Sequence, residues 1–130
     1  MRNAKKLEYG FSNEEFEIRL QRAQELLYEN KLDALLITIP SNLRYFTGID
    51  TNFWESPTRP WFLVIPLSGS PIAVIPEIGE KLFKKTFVKD IHTWPSPNLN
   101  GDDISPLKSI LESLPSRFGA IGAELGKEMS

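Results

Sequence analysis

Apolar residues recur at positions 16, 20, 23 and 27, with Leu26 beside them. Those spacings of four, three and four predict an amphipathic helix that runs to about Glu29 and stops near Asn30. Ser12-Asn13-Glu14-Glu15 reads as its capping box, with Ser12 as N-cap and Glu15 as the third helical residue. Arg19, Arg22 and Glu25 fall on the opposite, wet face. Asp33 then leads into Ala34-Leu35-Leu36-Ile37-Thr38-Ile39, an apolar run without polar alternation. Such a run predicts a strand buried on both faces, central in a sheet that helices cover. Pro40 ends it. In the following stretch Ser41 or Asn42 caps one short helical turn, and Gly48 closes it in a left-handed conformation.

Residues 49–60 show no regular pattern. Residues 61–65 and 72–75 read as two strands, joined by Pro66-Leu67-Ser68-Gly69-Ser70-Pro71. That connection is rich in turn formers and too short for a crossover helix, which predicts an antiparallel hairpin. Residues 77–85 read as a short helix with Ile78, Leu82 and Phe83 inward, and 87–91 as a half-exposed fourth strand. A loop over 94–103 precedes Ser105-Pro106, an N-cap followed by proline at the first helical position. Leu107, Ile110, Leu111 and Leu114 form the inner stripe of that helix, which Pro115 ends. Residues 120–123 predict a short fifth strand. The sum is an α/β fold, a single layered domain with a mixed β-sheet of about five strands flanked by helices. The chain stops soon after that strand, at Gly126-Lys127-Glu128-Met129-Ser130, and reads as a piece of something longer.

Composition narrows the function classes. Across 130 residues, 15 basic side chains face 17 acidic ones, and neither half carries the positive excess that nucleic acid demands. The absence of cysteine removes disulfides, thiolate metal sites and thiol nucleophiles together, and fits a reducing compartment. No apolar stretch approaches the length of a signal peptide core or a spanning helix, so the chain reads as soluble, cytoplasmic and free of membrane. With one histidine, His92, only an all-carboxylate metal site could be assembled. The adjacent pair Asp102 and Asp103 after Gly101 fits a helix N-terminus instead. No catalytic residue and no metal ligand is therefore assigned.

No phosphate loop or nucleophile elbow is present, since Gly119, Gly122 and Gly126 lack the required spacing and Ser68-Gly69-Ser70 lies in a hairpin turn. His92 has no acid among its neighbours Ile91, Thr93 and Trp94, and reads as a strand-end polar residue. The segment holding Phe53, Trp54, Arg59 and Trp61 concentrates the residue types of binding hot spots. Arg59 can grip a carboxylate through two parallel hydrogen bonds. The competing reading is that the tryptophans pack over the sheet edge and Arg59 is solvated.

Taken together, several stretches resemble the N-terminal domain of the creatinase / Xaa-Pro peptidase family. They are Phe11-Ser12 with Glu15 and Arg19-Leu20; Leu32-Asp33-Ala34-Leu35-Leu36-Ile37-Thr38; Pro40-Ser41-Asn42-Leu43-Arg44-Tyr45-Phe46-Thr47-Gly48; and Arg59-Pro60. The hairpin from Val64-Ile65-Pro66 to Pro71-Ile72-Ala73-Val74-Ile75-Pro76 and the stretch Ile121-Gly122-Ala123-Glu124-Leu125-Gly126 complete the match. The resemblance implies that residues 1–130 form a creatinase/prolidase N-terminal-like domain, truncated, with the catalytic C-terminal domain absent. It implies a parent enzyme of the Xaa-Pro dipeptidase or aminopeptidase kind. In that family two Asp, one His and two Glu of the C-terminal domain hold a pair of divalent metals (Mn, Co or Zn), while creatinase-like members work without metal. It further implies a homodimer in which this domain supplies dimer contacts and part of the substrate-access wall, with Arg59 facing a substrate carboxylate and Trp54 as an aromatic wall. The alternative from another class is a free-standing α/β binding or assembly module, which the coding sequence downstream of Ser130 would distinguish.

Overall fold

The computed structural model describes residues 13–49, 61–93 and 105–123. Helix α1 (Asn13–Glu29) carries Glu14 and Glu15 in its first turn, where carboxylates oppose the positive end of the helix dipole. Phe16, Leu20, Ala23 and Leu27 are its buried stripe, as their spacing predicts. Its end is a backbone turn: the Leu32 amide donates to the Leu27 carbonyl at 2.9 Å while Lys31 sits at φ 59°. The Asn30 amide and side chain both donate to the Leu26 carbonyl in this last turn.

Strand β1 (Ala34–Ile37) follows, then α2 (Pro40–Thr47), β2 (Phe62–Pro66) and β3 (Ile72–Ile75). A 3-10 turn (Glu77–Gly79) runs into α3 (Glu80–Lys84), followed by β4 (Asp90–Thr93), α4 (Ser105–Ser113) and β5 (Ile121–Ala123). The five strands form one mixed sheet in the order β4-β3-β2-β1-β5. β2 pairs antiparallel with both β1 and β3, which is the expected hairpin, while β5 lies parallel to β1 and β4 parallel to β3.

Alternation along the strands splits the core into two layers. Ile37, Leu63, Ile65, Ala73 and Ile75 face α1, α2 and α3. Ala34, Val64 and Val74 face Leu107 and Ile110 of α4. Helices lie on both faces of the sheet, so β2 is buried along nearly its whole length, while β1 is buried at Ala34 and Ile37 and half-buried at Leu35 and Leu36. Among the described residues no helix is long and apolar enough to cross a membrane.

Several expected details are corrected. The strand stops at Ile37 rather than Ile39; Ile39, still extended at φ −82°, ψ 127° as the residue before a proline is, leads into α2. Ile39 is the N-cap of α2 and Pro40 its first residue, so neither Ser41 nor Asn42 caps it. The single helix expected over 77–85 is a 3-10 turn joined to α3. The fourth strand begins at Asp90 rather than Phe87, since the Thr86 hydroxyl caps α3 and accepts the Val88 amide, turning the chain before the sheet. α4 starts at Ser105, one residue before Pro106. Leu26, placed beside the buried stripe, is 58% exposed. Ser12, Gly101 with Asp102 and Asp103, the 94–103 loop and the stretch after Ala123 lie outside the described residues.

Candidate functional site

The two residues singled out for binding, Trp54 and Arg59, lie outside the described residues, but both stems of their segment are described. The first stem is the end of α2. Gly48 adopts φ 82°, as its position after a short helix predicts, and its amide closes onto the Arg44 carbonyl. A Cβ on Gly48 would fall 2.8 Å from the Phe16 ring, so glycine is required there for space as well as for conformation. The buried Thr47 hydroxyl donates to the Leu43 carbonyl at 2.7 Å and accepts the Ile49 amide at 3.0 Å. That pair of bonds satisfies a polar group inside the core and aims the outgoing chain.

Trp61 is the second stem. It does not open β2, which begins at Phe62. It is an anchor, 4% exposed, with its ring 5.9 Å from that of Phe83 and laid over Gly79. Ile49 and Trp61 belong to the same buried cluster. The described residues on either side of the Arg59 segment are therefore held in one core.

Three further polar arrangements were missed in the sequence. The Asp33 carboxylate, 6% exposed, accepts the backbone amides of Arg117, Phe118 and Gly119 at 3.0, 2.8 and 2.8 Å. Its own amide donates to Ala120 and its carbonyl accepts from Leu67. One residue thus ties the start of β1 to the turn before β5 and to the hairpin. The Phe118 amide above all, then those of Gly119 and Arg117, hold the carboxyl below the usual carboxylate range, outweighing the upward pull of burial. A depressed folded pKa gives stability that is complete above the unfolded carboxylate value and fades as pH falls through the folded one. Asp33→Asn is expected to lower the thermal midpoint by several degrees at neutral pH, with the gap to the parent closing in acid. Melting curves from pH 7 down to about 3 check this; a gap that does not narrow assigns the loss to something other than the charge.

Arg19, expected on the wet face, is only 14% exposed at its side chain. Its guanidinium lies 4.3 Å from the Tyr45 ring centroid and 5.2 Å from that of Phe16, and it donates to the Tyr45 carbonyl at 2.7 Å. Glu15 pairs with it at 3.3 Å, one turn back along α1. Arg19 therefore joins α1 to α2, its stem covering apolar surface while its head is paired.

His92 does have an acidic partner. Two residues apart on a strand means one face, and Nε2 meets the Asp90 carboxylate at 2.9 Å. Both side chains are about half exposed on the polar edge strand. Among the described residues no three His, Asp or Glu side chains come together as a metal would need.

The profile of the creatinase/prolidase N-terminal domain matches residues 19–129. Among solved structures, a proline dipeptidase from Streptococcus pneumoniae is 23% identical with a TM-score of 0.60, the match covering 82% of this chain and 73% of that one. The creatinase/prolidase N-terminal domain of an X-Pro dipeptidase from Streptococcus pyogenes is 19% identical with a TM-score of 0.64, covering 85% and 78%. The prolidase from Pyrococcus horikoshii is 18% identical with a TM-score of 0.61, covering 86% of this chain but 28% of its own. At these identities the likeness concerns the fold. No curated protein matches the chain.

Proposed function

The chain belongs to the creatinase/prolidase N-terminal domain family, and from that premise we propose that it is the non-catalytic N-terminal domain of an Xaa-Pro dipeptidase-like hydrolase. The observation that carries this reading is the family match over nearly the whole chain, together with a fold like that of N-terminal domains of proline dipeptidases. In this reading the domain partners a C-terminal catalytic domain, contributes to a cytoplasmic homodimer and builds part of the wall through which substrate enters. Arg59 binds a substrate carboxylate and Trp54 forms an apolar wall beside it. The two fixed stems at Gly48 and Trp61 favour this, because a charged clamp gains most when its loop is held in advance.

The described residues do not fit a metal-binding set. In this reading a pair of Mn, Co or Zn ions would be held by the C-terminal catalytic domain, which would supply the hydrolytic chemistry.

The test uses both lengths of protein. The 130-residue chain with manganese added is expected to leave a proline-containing dipeptide intact. In the full-length enzyme, Arg59→Ala is expected to lower kcat/KM roughly tenfold, about 1.4 kcal/mol, with an unchanged unfolding midpoint. Metal-dependent turnover by the short chain would overturn the domain assignment. Unchanged kinetics in the variant would remove Arg59 from the site.

A further inference from the structure

On the α1 side of the sheet an open trough of about 400 Å³ runs between α1 and α2 above the start of β1. Ala23, Leu26 and Leu27 form one wall, Phe46 the other, and Leu32 and Leu35 the floor. Gly122 of the edge strand lies directly beneath that floor, where a Cβ would come within 3.0 Å of Leu32 and 3.4 Å of Leu35. The lining is not enclosed, since Leu26 is 58% and Tyr45 43% exposed. A small-molecule pocket would bury such side chains; a surface trough that leaves them in water fits a polypeptide partner.

Shape selects the kind of polypeptide. The trough opens on the sheet's face, where an incoming segment meets side chains rather than backbone ladder groups. Two helices standing on a sheet with Ala23 recessed between larger neighbours leave a groove for the side-chain ridge of a third. Charge selects the sequence. The charged side chains among its described lining are Arg19 and Arg22, with no carboxylate. Arg19 is occupied by Glu15 and Tyr45, whereas Arg22 is exposed and holds no ion pair among the described residues.

We infer that this trough is a docking groove for an amphipathic helix whose apolar ridge is flanked by carboxylates. The ridge places large apolar side chains at i, i+3/i+4 and i+7 over Ala23, Leu27 and Leu35, and a Glu or Asp on its flank pairs with Arg22. The groove's described lining comes from α1, α2, β1 and the turn between α1 and β1, so it stands or falls independently of the peptidase reading.

The 15N-labelled 130-residue chain is titrated with a synthetic helix of about 14 residues, leucines at that spacing and glutamates on the flanks. A second peptide carries lysine at every glutamate position. The glutamate peptide is expected to shift the amides of Ala23, Leu26, Leu27, Leu35 and Phe46 and to bind roughly tenfold tighter than the lysine peptide. Arg22→Glu is expected to reverse that preference. Leu26→Asp, at a site already exposed and so without cost to folding, is expected to abolish the shifts. Absence of shifts, equal binding of the two peptides, or wild-type binding by Leu26→Asp would each overturn the inference. So would concentration-dependent shifts of the same amides without peptide, which would make a second copy of the chain the occupant.

Discussion

Phe16→Ala is expected to lower the unfolding free energy by about 3–5 kcal/mol, a third or more of the stability of an ordinary domain. Phe16 is fully buried, its ring stacked 5.9 Å from that of Phe87, with the Arg19 guanidinium over it and Gly48 against its edge. Truncation leaves a cavity that these neighbours cannot close. Gly48 is fixed by its bond to Arg44, and Arg19 is tethered to Tyr45 and Glu15. Urea denaturation followed by circular dichroism measures the loss. Phe16→Leu, which keeps most of the volume, is expected to cost less than half as much. Equal losses in the two variants would mean that ring geometry, not volume, is what the site requires.

Features that rest on neighbours close in sequence were legible. The stripe Phe16, Leu20, Ala23, Leu27 follows from helical periodicity, and the hairpin follows from a turn-rich connection too short for a helix. Gly48 closes α2 because a short helix needs a left-handed residue there. Several misreadings come from a partner far away along the chain, whereas His92 was misread although its partner Asp90 lies only two residues back on the same strand face. Asp33 serves amides more than 80 residues on, so nothing beside it announces its role. Arg19 sits on the polar side of an isolated helix and is covered only because Tyr45 packs across it. Leu26 satisfies helical spacing yet stays exposed, because α2 stops short of covering it and leaves the trough. The binding residues proposed from sequence, Arg59 and Trp54, were chosen for chemistry and for the resemblance; the described structure contributes the two anchors of their segment.

The anchor at Trp61 yields the second large effect. Gly79→Val is expected to destabilise the domain by about 3 kcal/mol through overpacking. A Cβ at residue 79 would meet Cζ3 of Trp61 at 2.6 Å and press still closer on Cη2. Backbone conformation is not at issue, since φ at Gly79 is −91°, which valine can adopt. The indole cannot simply pivot away, because Phe83 fills the space beside it, so it must leave the core and expose a large ring. With Trp54 and Trp94 replaced by phenylalanine, Trp61 is the sole reporter, and its emission is expected to move to the red in Gly79→Val. Trp61→Leu removes the colliding ring, so the double variant should lose about 1 kcal/mol less than the two single losses added together. Simple additivity would mean that residue 79 acts on something other than Trp61. Under the proposed function the same variant connects packing to catalysis. Arg59 lies two residues before Trp61 in the sequence, so in a full-length hydrolase of the proposed kind Gly79→Val should lower kcat/KM with Arg59 intact, and Trp61→Leu should restore part of it.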